Sequence, residues 1–394
     1  MTATQIALAV LAALGTLALA AASLFIFLEL SAIHLPRLVA PAGLAEPEKA
    51  AALDAWLDEL ERREKFNGTI LIARDGRTVL QRNIGAADTD GRPIGDRTSF
   101  NLASVSKQMT AFAILLLEHE GKLSTGDLLT RHIPELRRHP DVTINHLLEH
   151  TSGLPDYALD KALARRLEAT AMLLTPDGLI DWLAAYPRVP DFAPGEREDY
   201  VNSNYVLLAE IVARVSGLSF ADFMRTRVFA PLGMRQTAVI DRREKEALLS
   251  DRAFGFRKRF LHVGAAVRFD LTPLDGLAGD GNIYASAGDL VIWDKALRQG
   301  VLLPAETYAR AYRPVRLSNG EIVQEKVLGE TLQPGLGWNV QDMPVVTSYG
   351  RWQAFSNFYR RDLARGSVLV VLSNSGFFVR TAMIGEQLAA FLSR

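Results

Sequence analysis

Cysteine is absent from this chain of 394 residues. That excludes a thiolate nucleophile, a cysteine-ligated zinc site and any disulfide. It leaves the compartment open, because an exported bacterial protein can lack cysteine as readily as a cytosolic one. An excess of either charge is absent too: 44 Lys and Arg stand against 45 Asp and Glu, a net charge of −1. That balance argues against a nucleic-acid or polyanion binder, which would carry a basic stripe. Also missing are a Gly-x-Ser-x-Gly elbow, a phosphate-binding glycine loop and a dinucleotide fingerprint. No internal repeat is visible, and no low-complexity tract outside the N-terminus. The length leaves room for one large or two ordinary domains with a substantial core.

What the chain has, first, is an apolar run. Ile6 to Phe27 is Ala, Leu, Val, Ile and Phe, broken only by Gly15, Thr16 and Ser23. Roughly 20 such residues span a bilayer as a helix. The run is longer than a signal-peptide core and no Lys or Arg precedes it, so the expectation is an uncleaved single-pass transmembrane helix within residues 1–30. The small residues Ala18 to Ser23 keep a cleaved signal as the alternative. Residues 31–45, with Pro36 and Pro41, read as a linker. The first cation, Arg37, follows the run, and by charge alone this favours a cytoplasmic C-terminal part.

The rest divides by periodicity. Glu46 to Glu64 carries helical apolar spacing at Ala51, Leu53, Trp56, Leu57 and Leu60. Thr69–Arg74 and Arg77–Arg82 flank Asp75-Gly76, a hairpin signal. From about 104 to 250 the pattern is mostly helical, with Gln108–His119 stopped by Gly121 and Tyr205–Val215 stopped by Gly217. A further helix, Gly288–Leu297, follows the glycine-rich Gly276 to Gly281. Strands return at Gly335–Val340, Trp352–Arg360 and Ser367–Leu372, and an amphipathic helix, Val379–Leu392, closes the chain. Strands at both ends with helices between predict an α+β fold, with one antiparallel sheet built from the two ends, flanked by helices and carrying an inserted helical domain. The expected division is a domain over 46–394, with a sheet part at 46–103 and 290–394 and a helical insert at 104–289. A cleft between sheet edge and insert is the expected site.

Three short motifs carry the chemistry. In Ser104-Val105-Ser106-Lys107 the serine stands three residues before a lysine at the start of an apolar helix. Positions i and i+3 share a helix face, which brings Lys107 Nζ to Ser104 Oγ, and the helix start favours an oxyanion. In Tyr200-Val201-Asn202 a phenol and an amide precede a helix. A phenolate beside Lys107 would take the Ser104 proton and return it to the leaving group, with Asn202 holding Lys107 or the substrate. Ser348-Tyr349-Gly350-Arg351, just before the strand Trp352–Arg360, is the candidate strand edge that would line the substrate channel and supply a second oxyanion N–H, with glycine allowing close backbone approach. Read alone, each motif is also a helix cap or an ordinary turn. His146-Leu147-Leu148-Glu149-His150 fits an inverted zinc-peptidase pattern, which keeps a zinc peptidase as a minor alternative.

Taken in order, these motifs resemble those of the serine β-lactamase and penicillin-binding-protein family, in the branch of class C β-lactamases, DD-peptidases and related esterases. The resemblance runs from about Phe66 to the C-terminus. It includes Phe100–Thr110, Leu147–Leu154, Pro194–Leu208, Gly279–Ser286 with Asp289-Leu290, and Val368–Asn374. It implies a metal-free, cofactor-free acyl-serine enzyme with Ser104 as nucleophile, Lys107 as its lysine, Tyr200 as acid/base and Asn202 as partner amide. It also implies a small ester, amide or cell-wall-type peptide as substrate, and an extracytoplasmic catalytic domain tethered to the membrane, against the charge signal at Arg37. One motif departs from the pattern. Where relatives carry Lys or His, a small residue and Gly, this chain has Ser348, Tyr349 and Gly350, so a cation that would bind a substrate carboxylate is missing. That favours ester or small-amide hydrolysis. Arg351, one residue on, is the remaining source of charge, and its N–H with that of Ser104 is the expected oxyanion hole. A non-catalytic sensing or binding module is the other reading of the altered motif. Oligomeric state is not legible.

Overall fold

The computed structural model describes residues 34–39, 45–187, 192–241, 249–260, 263–327, 329–341, 343–376 and 378–393, with Ser23 and Leu24. The expected membrane helix falls almost wholly outside the described residues. Among those described, no helix is long and apolar enough to cross a membrane.

Five helices and eight strands frame the site. They are α1 (Glu46–Arg62), β1 (Gly68–Arg74), β2 (Arg77–Ile84), α2 (Lys107–His119), α3 (Asn202–Ser216) and α4 (Ala287–Gln299). Then come β3 (Glu325–Val327), β4 (Glu330–Pro334), β5 (Asn339–Val340), β6 (Val345–Trp352), β7 (Phe355–Asp362), β8 (Ser367–Ser373) and α5 (Phe378–Leu392). The strands form one sheet in the order β2-β1-β8-β7-β6-β5-β4-β3. Every pairing in it is antiparallel. The N-terminal hairpin joins the C-terminal strands through β1 and β8, from Gly68 opposite Ser373 to Arg74 opposite Ser367. The sheet is therefore made from both chain ends, as expected.

Side chains alternate across a strand, so each of the central strands serves two cores. Ile70 and Ile72 of β1, with Leu369 and Val371 of β8, meet Leu53, Trp56, Leu57 and Leu60 of α1 and Ile384 and Leu388 of α5. The residues between them, Leu71 and Ala73 of β1 and Val368, Val370 and Leu372 of β8, join the larger core with α2, α3 and α4. Helix α2 is buried from Lys107 through Leu117. A helix apolar all round must lie inside, and this one runs between the sheet and the helical region.

The strand boundaries differ from the sequence expectation at one place that matters. Ser348–Arg351 is strand, as expected, but it lies inside β6 rather than ahead of a strand starting at Trp352, and the reversal comes at Gln353, φ 50°, between Trp352 and Phe355. The expected strand at Gly335–Val340 shrinks to Asn339–Val340. Strand β6 packs its Gly350 against the segment that carries the nucleophile. A Cβ there would lie 2.3 Å from Leu102 O, 3.1 Å from Val105 N and 3.2 Å from Ser104 N. Only hydrogen fits. Gly350→Ala overpacks this contact and is expected to cost about 2 kcal/mol, within the usual range for overpacking, and to lower hydrolysis because the displaced element is the Ser104 turn. Urea denaturation and initial rates on one sample check both effects.

Candidate active site

Ser104 lies on a single 3-10 turn, Ala103–Ser106, which runs directly into α2. The sequence reading had it on the α-helix itself. In a 3-10 turn residues i and i+3 eclipse, so Lys107 still comes to stand over Ser104. The turn begins at Ala103 with φ 50°, a left-handed conformation that a β-carbon disfavours. Buried amides hold it there. Ala103 N donates to Asn101 Oδ1 (2.8 Å), Asn101 Nδ2 to Asn282 Oδ1 (3.0 Å), and Asn357 Nδ2 to Asn101 O (2.9 Å).

Lys107 Nζ, with its residue 2% exposed, donates three hydrogen bonds. They go to Ser104 Oγ (3.2 Å), Asn202 Oδ1 (2.9 Å) and the main-chain O of Asp280 (2.7 Å). An ammonium has three donors, and here each has an acceptor. Asn202 is fixed in turn, because its Nδ2 donates to Asp156 Oδ2 at 2.9 Å. Burial raises the Asp156 carboxyl above its ordinary value, partly offset by hydrogen bonds from Ala158 and Asn202. Burial also raises Asp280, against the pull of Lys107, and Tyr157 Oη donates to Asp280 Oδ2 at 2.7 Å.

Tyr200 comes to Lys107 by its ring face, whose centroid is 5.0 Å from Nζ. Its ring also stacks on His150, with centroids 4.4 Å apart, and the residue is 43% exposed. His150 is fully buried, and burial together with the Lys107 charge pushes its imidazole down to about 3. The neutral ring accepts from Val201 N at 3.2 Å on Nδ1 and serves as a platform. This disposes the zinc pattern differently from a metal site. The helix there covers only Ile144–Leu148. His146 Nδ1 accepts from Thr143 N at its N-terminus, while His150 sits beyond its end at φ 57°. Among the described residues no group of three or more potential metal ligands clusters.

Two cavities meet at Ser104. One, of about 400 Å³, is lined by Ser104, Tyr157, Leu159, Tyr200, Asn202, Phe269, Leu274, Arg351 and Trp352. The other, of about 280 Å³, is lined by Ser104, Lys107, His150, Glu198, Tyr200, Glu325, Trp338, Ser348, Tyr349 and Arg351. The cleft between sheet and helical region is thus where the sequence placed it. Of the third motif, Ser348 Oγ donates to Gly337 O (3.2 Å) at the cavity wall. Arg351 borders both cavities. Tyr349 is a correction: it touches the second cavity, but its hydroxyl donates to Glu386 Oε1 of α5 at 2.7 Å, on the far face of the sheet. Period-two alternation along β6 sends Ser348 and Gly350 one way and Tyr349 the other.

Sequence reading missed Asp156, the Asp280 carbonyl, Glu198 and Glu325. Asp156 and Asp280 lie within or beside blocks that the family resemblance already marked. Nothing in the sequence pairs Glu198 with Glu325. Burial, then the facing Glu325 and the nearby Asp199, push the Glu198 carboxyl up to about 8. Its folded value lies above the unfolded 4.5, so the folded state holds a proton that the unfolded chain releases. Stability at this site is full below pH 4.5 and falls as pH rises through about 8. Glu198→Gln is therefore expected to raise Tm by about 3 °C near pH 9 and to leave it unchanged near pH 4.5. Thermal melts at the two pH values read the difference.

The Beta-lactamase family model matches residues 53–391. The chain is 34% identical over 338 residues to "Penicillin-binding protein 4*" of Bacillus subtilis (strain 168), covering 83% of this chain and 72% of that protein. It is 32% identical over 317 residues to "Esterase EstB" of Burkholderia gladioli, covering 73% of this chain and 78% of that one. Among solved structures, the penicillin binding protein from Bacillus halodurans superposes with a TM-score of 0.71 at 23% identity, covering 84% of this chain and 99% of that chain, a likeness of fold.

Proposed function

The chain belongs to the Beta-lactamase family and is a serine hydrolase, and from that premise we propose that Ser104 attacks the carbonyl carbon of an ester or amide. The observation that carries this reading is the bonding of Lys107 Nζ to Ser104 Oγ, Asn202 Oδ1 and Asp280 O. As an ammonium with every donor engaged, Lys107 holds the hydroxyl in place and stabilises the alkoxide. The proton leaving Ser104 Oγ passes to the phenolate oxygen of Tyr200, whose ring lies against Nζ. The tetrahedral oxyanion sits against the N–H groups of Ser104 and Arg351, where the Gly350 contact brings β6 to the turn. The same proton then goes to the departing alcohol or amine, the Ser104 ester remains, and water hydrolyses it.

Neutral Ser348, in place of a cation, supports an ester or small amide over substrates that depend on a carboxylate. The esterase relative supports the same choice. The apolar run Ile6–Phe27 supports a membrane tether, with the hydrolase on the extracytoplasmic side. Membrane fractionation of the full chain beside one lacking the first residues reads that part.

Treatment with a fluorophosphonate, followed by intact mass, is expected to add one phosphonyl group to the wild type and none to Ser104→Ala. Lys107→Ala is expected to lose about 10³-fold or more in kcat/KM on short-chain p-nitrophenyl esters. Equal labelling of the serine variant, or full rate in the lysine variant, would refute the scheme.

A further inference from the structure

The first cavity at Ser104, of about 400 Å³, has polar side chains in its floor that are already bonded within the protein. Tyr157 Oη donates to Asp280 Oδ2, Asn202 bonds Lys107 and Asp156, and Asn282 bonds Asn101 and the main-chain O of Leu277. What the wall offers a substrate is carbon: Leu159, Phe269, Leu274 and the indole of Trp352, none of them buried. Apolar side chains left open to solvent gain when carbon covers them.

One of the four is held by a specific bond. Trp352 ends β6, two residues beyond Gly350 and on the same face as the Ser104 turn. Its Nε1 donates to Asp275 Oδ1 at 2.5 Å. Asp275 is 1% exposed, and its Oδ2 accepts from Thr272 N and, at 3.0 Å, from Thr272 Oγ1. A buried carboxylate needs a donor at each oxygen, and the indole supplies the one at Oδ1. The segment that carries Asp275 is pinned as well. Leu174 N donates to Pro273 O at 2.9 Å, and a Cβ on Gly276 would lie 2.3 Å from Leu174 O. Next to Trp352, Ala354 N donates to Phe269 O at 3.2 Å. The indole is thus tied at its ring and beside its main chain to the stretch that supplies Phe269 and Leu274.

We infer that Trp352, held by Asp275, sets the acyl specificity of this hydrolase: the first cavity takes the chain of an apolar alkanoyl ester, and the fixed indole limits its length. The inference rests on the reading of Ser104 as nucleophile. The acyl group takes this side because the leaving group must receive its proton from Tyr200, whose ring lies against Lys107, and of the two cavities Lys107 lines only the second. Trp352 touches the chain, and Asp275 is a positioning residue that acts through it.

The test uses the full-length protein and two series of esters, p-nitrophenyl alkanoates from acetate to dodecanoate and alkyl acetates of the same lengths. Assays run at pH 8, where Asp275 is ionised, since burial raises its carboxyl only to about 6. In the wild type kcat/KM is expected to rise severalfold per added methylene of the acyl chain until the cavity is filled, and then to stop rising. In Trp352→Ala the decanoate-to-butanoate ratio is expected to increase at least about tenfold, the worth of about two newly buried methylenes. Trp352→Phe keeps a ring but cannot bond Asp275, and is expected to move the ratio the same way by about threefold. Asp275→Ala should move it as far as Trp352→Phe, and the double variant no further. Each ratio is taken within one variant, so a general loss of activity cancels. A wild-type profile flat in acyl length, a ratio unmoved in Trp352→Ala, wild-type ratios in Trp352→Phe and Asp275→Ala, or a shift in the alkyl acetates instead of the alkanoates would overturn the inference and leave Ser104 as nucleophile standing. No turnover and no Ser104 adduct would overturn both.

Discussion

One ammonium ties the site together. Lys107 Nζ reaches a hydroxyl on its own turn, an amide 95 residues downstream and a main-chain carbonyl 173 positions away. Each acceptor belongs to a different part of the fold. Ser104 is on the turn pressed by β6, Asn202 opens α3, and Asp280 lies in the loop that feeds the strand pairing with Phe100-Asn101. A buried charge is tolerated only when its donors are satisfied, so the three segments have to converge for the cation to sit there at all. The geometry proposed for catalysis is thus also the condition for burying Lys107.

The surroundings work toward the same end. Asp156 fixes which end of the Asn202 amide faces Lys107, since its carboxylate accepts from Nδ2 and leaves Oδ1 for the ammonium. His150 supports Tyr200 as a neutral ring, adding no second positive charge beside Lys107. The left-handed Ala103 lifts Ser104 out of the strand direction, and the Asn101, Asn282 and Asn357 amides hold that strained residue in place. Across the cleft, Glu198 and Glu325 line the second cavity, and burial keeps a proton on Glu198.

Much of this was legible in the residues. Asp75-Gly76 between alternating runs announced the β1–β2 hairpin, and Leu53, Trp56, Leu57 and Leu60 announced the buried stripe of α1. Ser104, Lys107 and Asn202 were found because their spacing on helix starts is a local pattern. The errors have equally local causes. The strand was started too late, at Trp352, because glycine weakens a strand, although Gly350 is required inside β6 by the close approach of the Ser104 turn. Tyr349 was given to the site because a motif is read as a block, whereas a strand divides it between two faces. The Asp280 contact is main-chain, and a carbonyl has no residue type to recognise. The Glu198–Glu325 pair joins two polar positions that only the sheet order brings together.

The central claim concerns where the reacting atoms sit, and a crystal structure of the protein inactivated by a short alkylphosphonate tests it most directly. The account predicts phosphorus bonded to Ser104 Oγ, its oxygen between the N–H groups of Ser104 and Arg351, and Lys107 Nζ still bonded to Asn202 and the Asp280 carbonyl. Phosphorus on any other residue, or a phosphoryl oxygen turned to solvent with Lys107 displaced from Ser104, would contradict it.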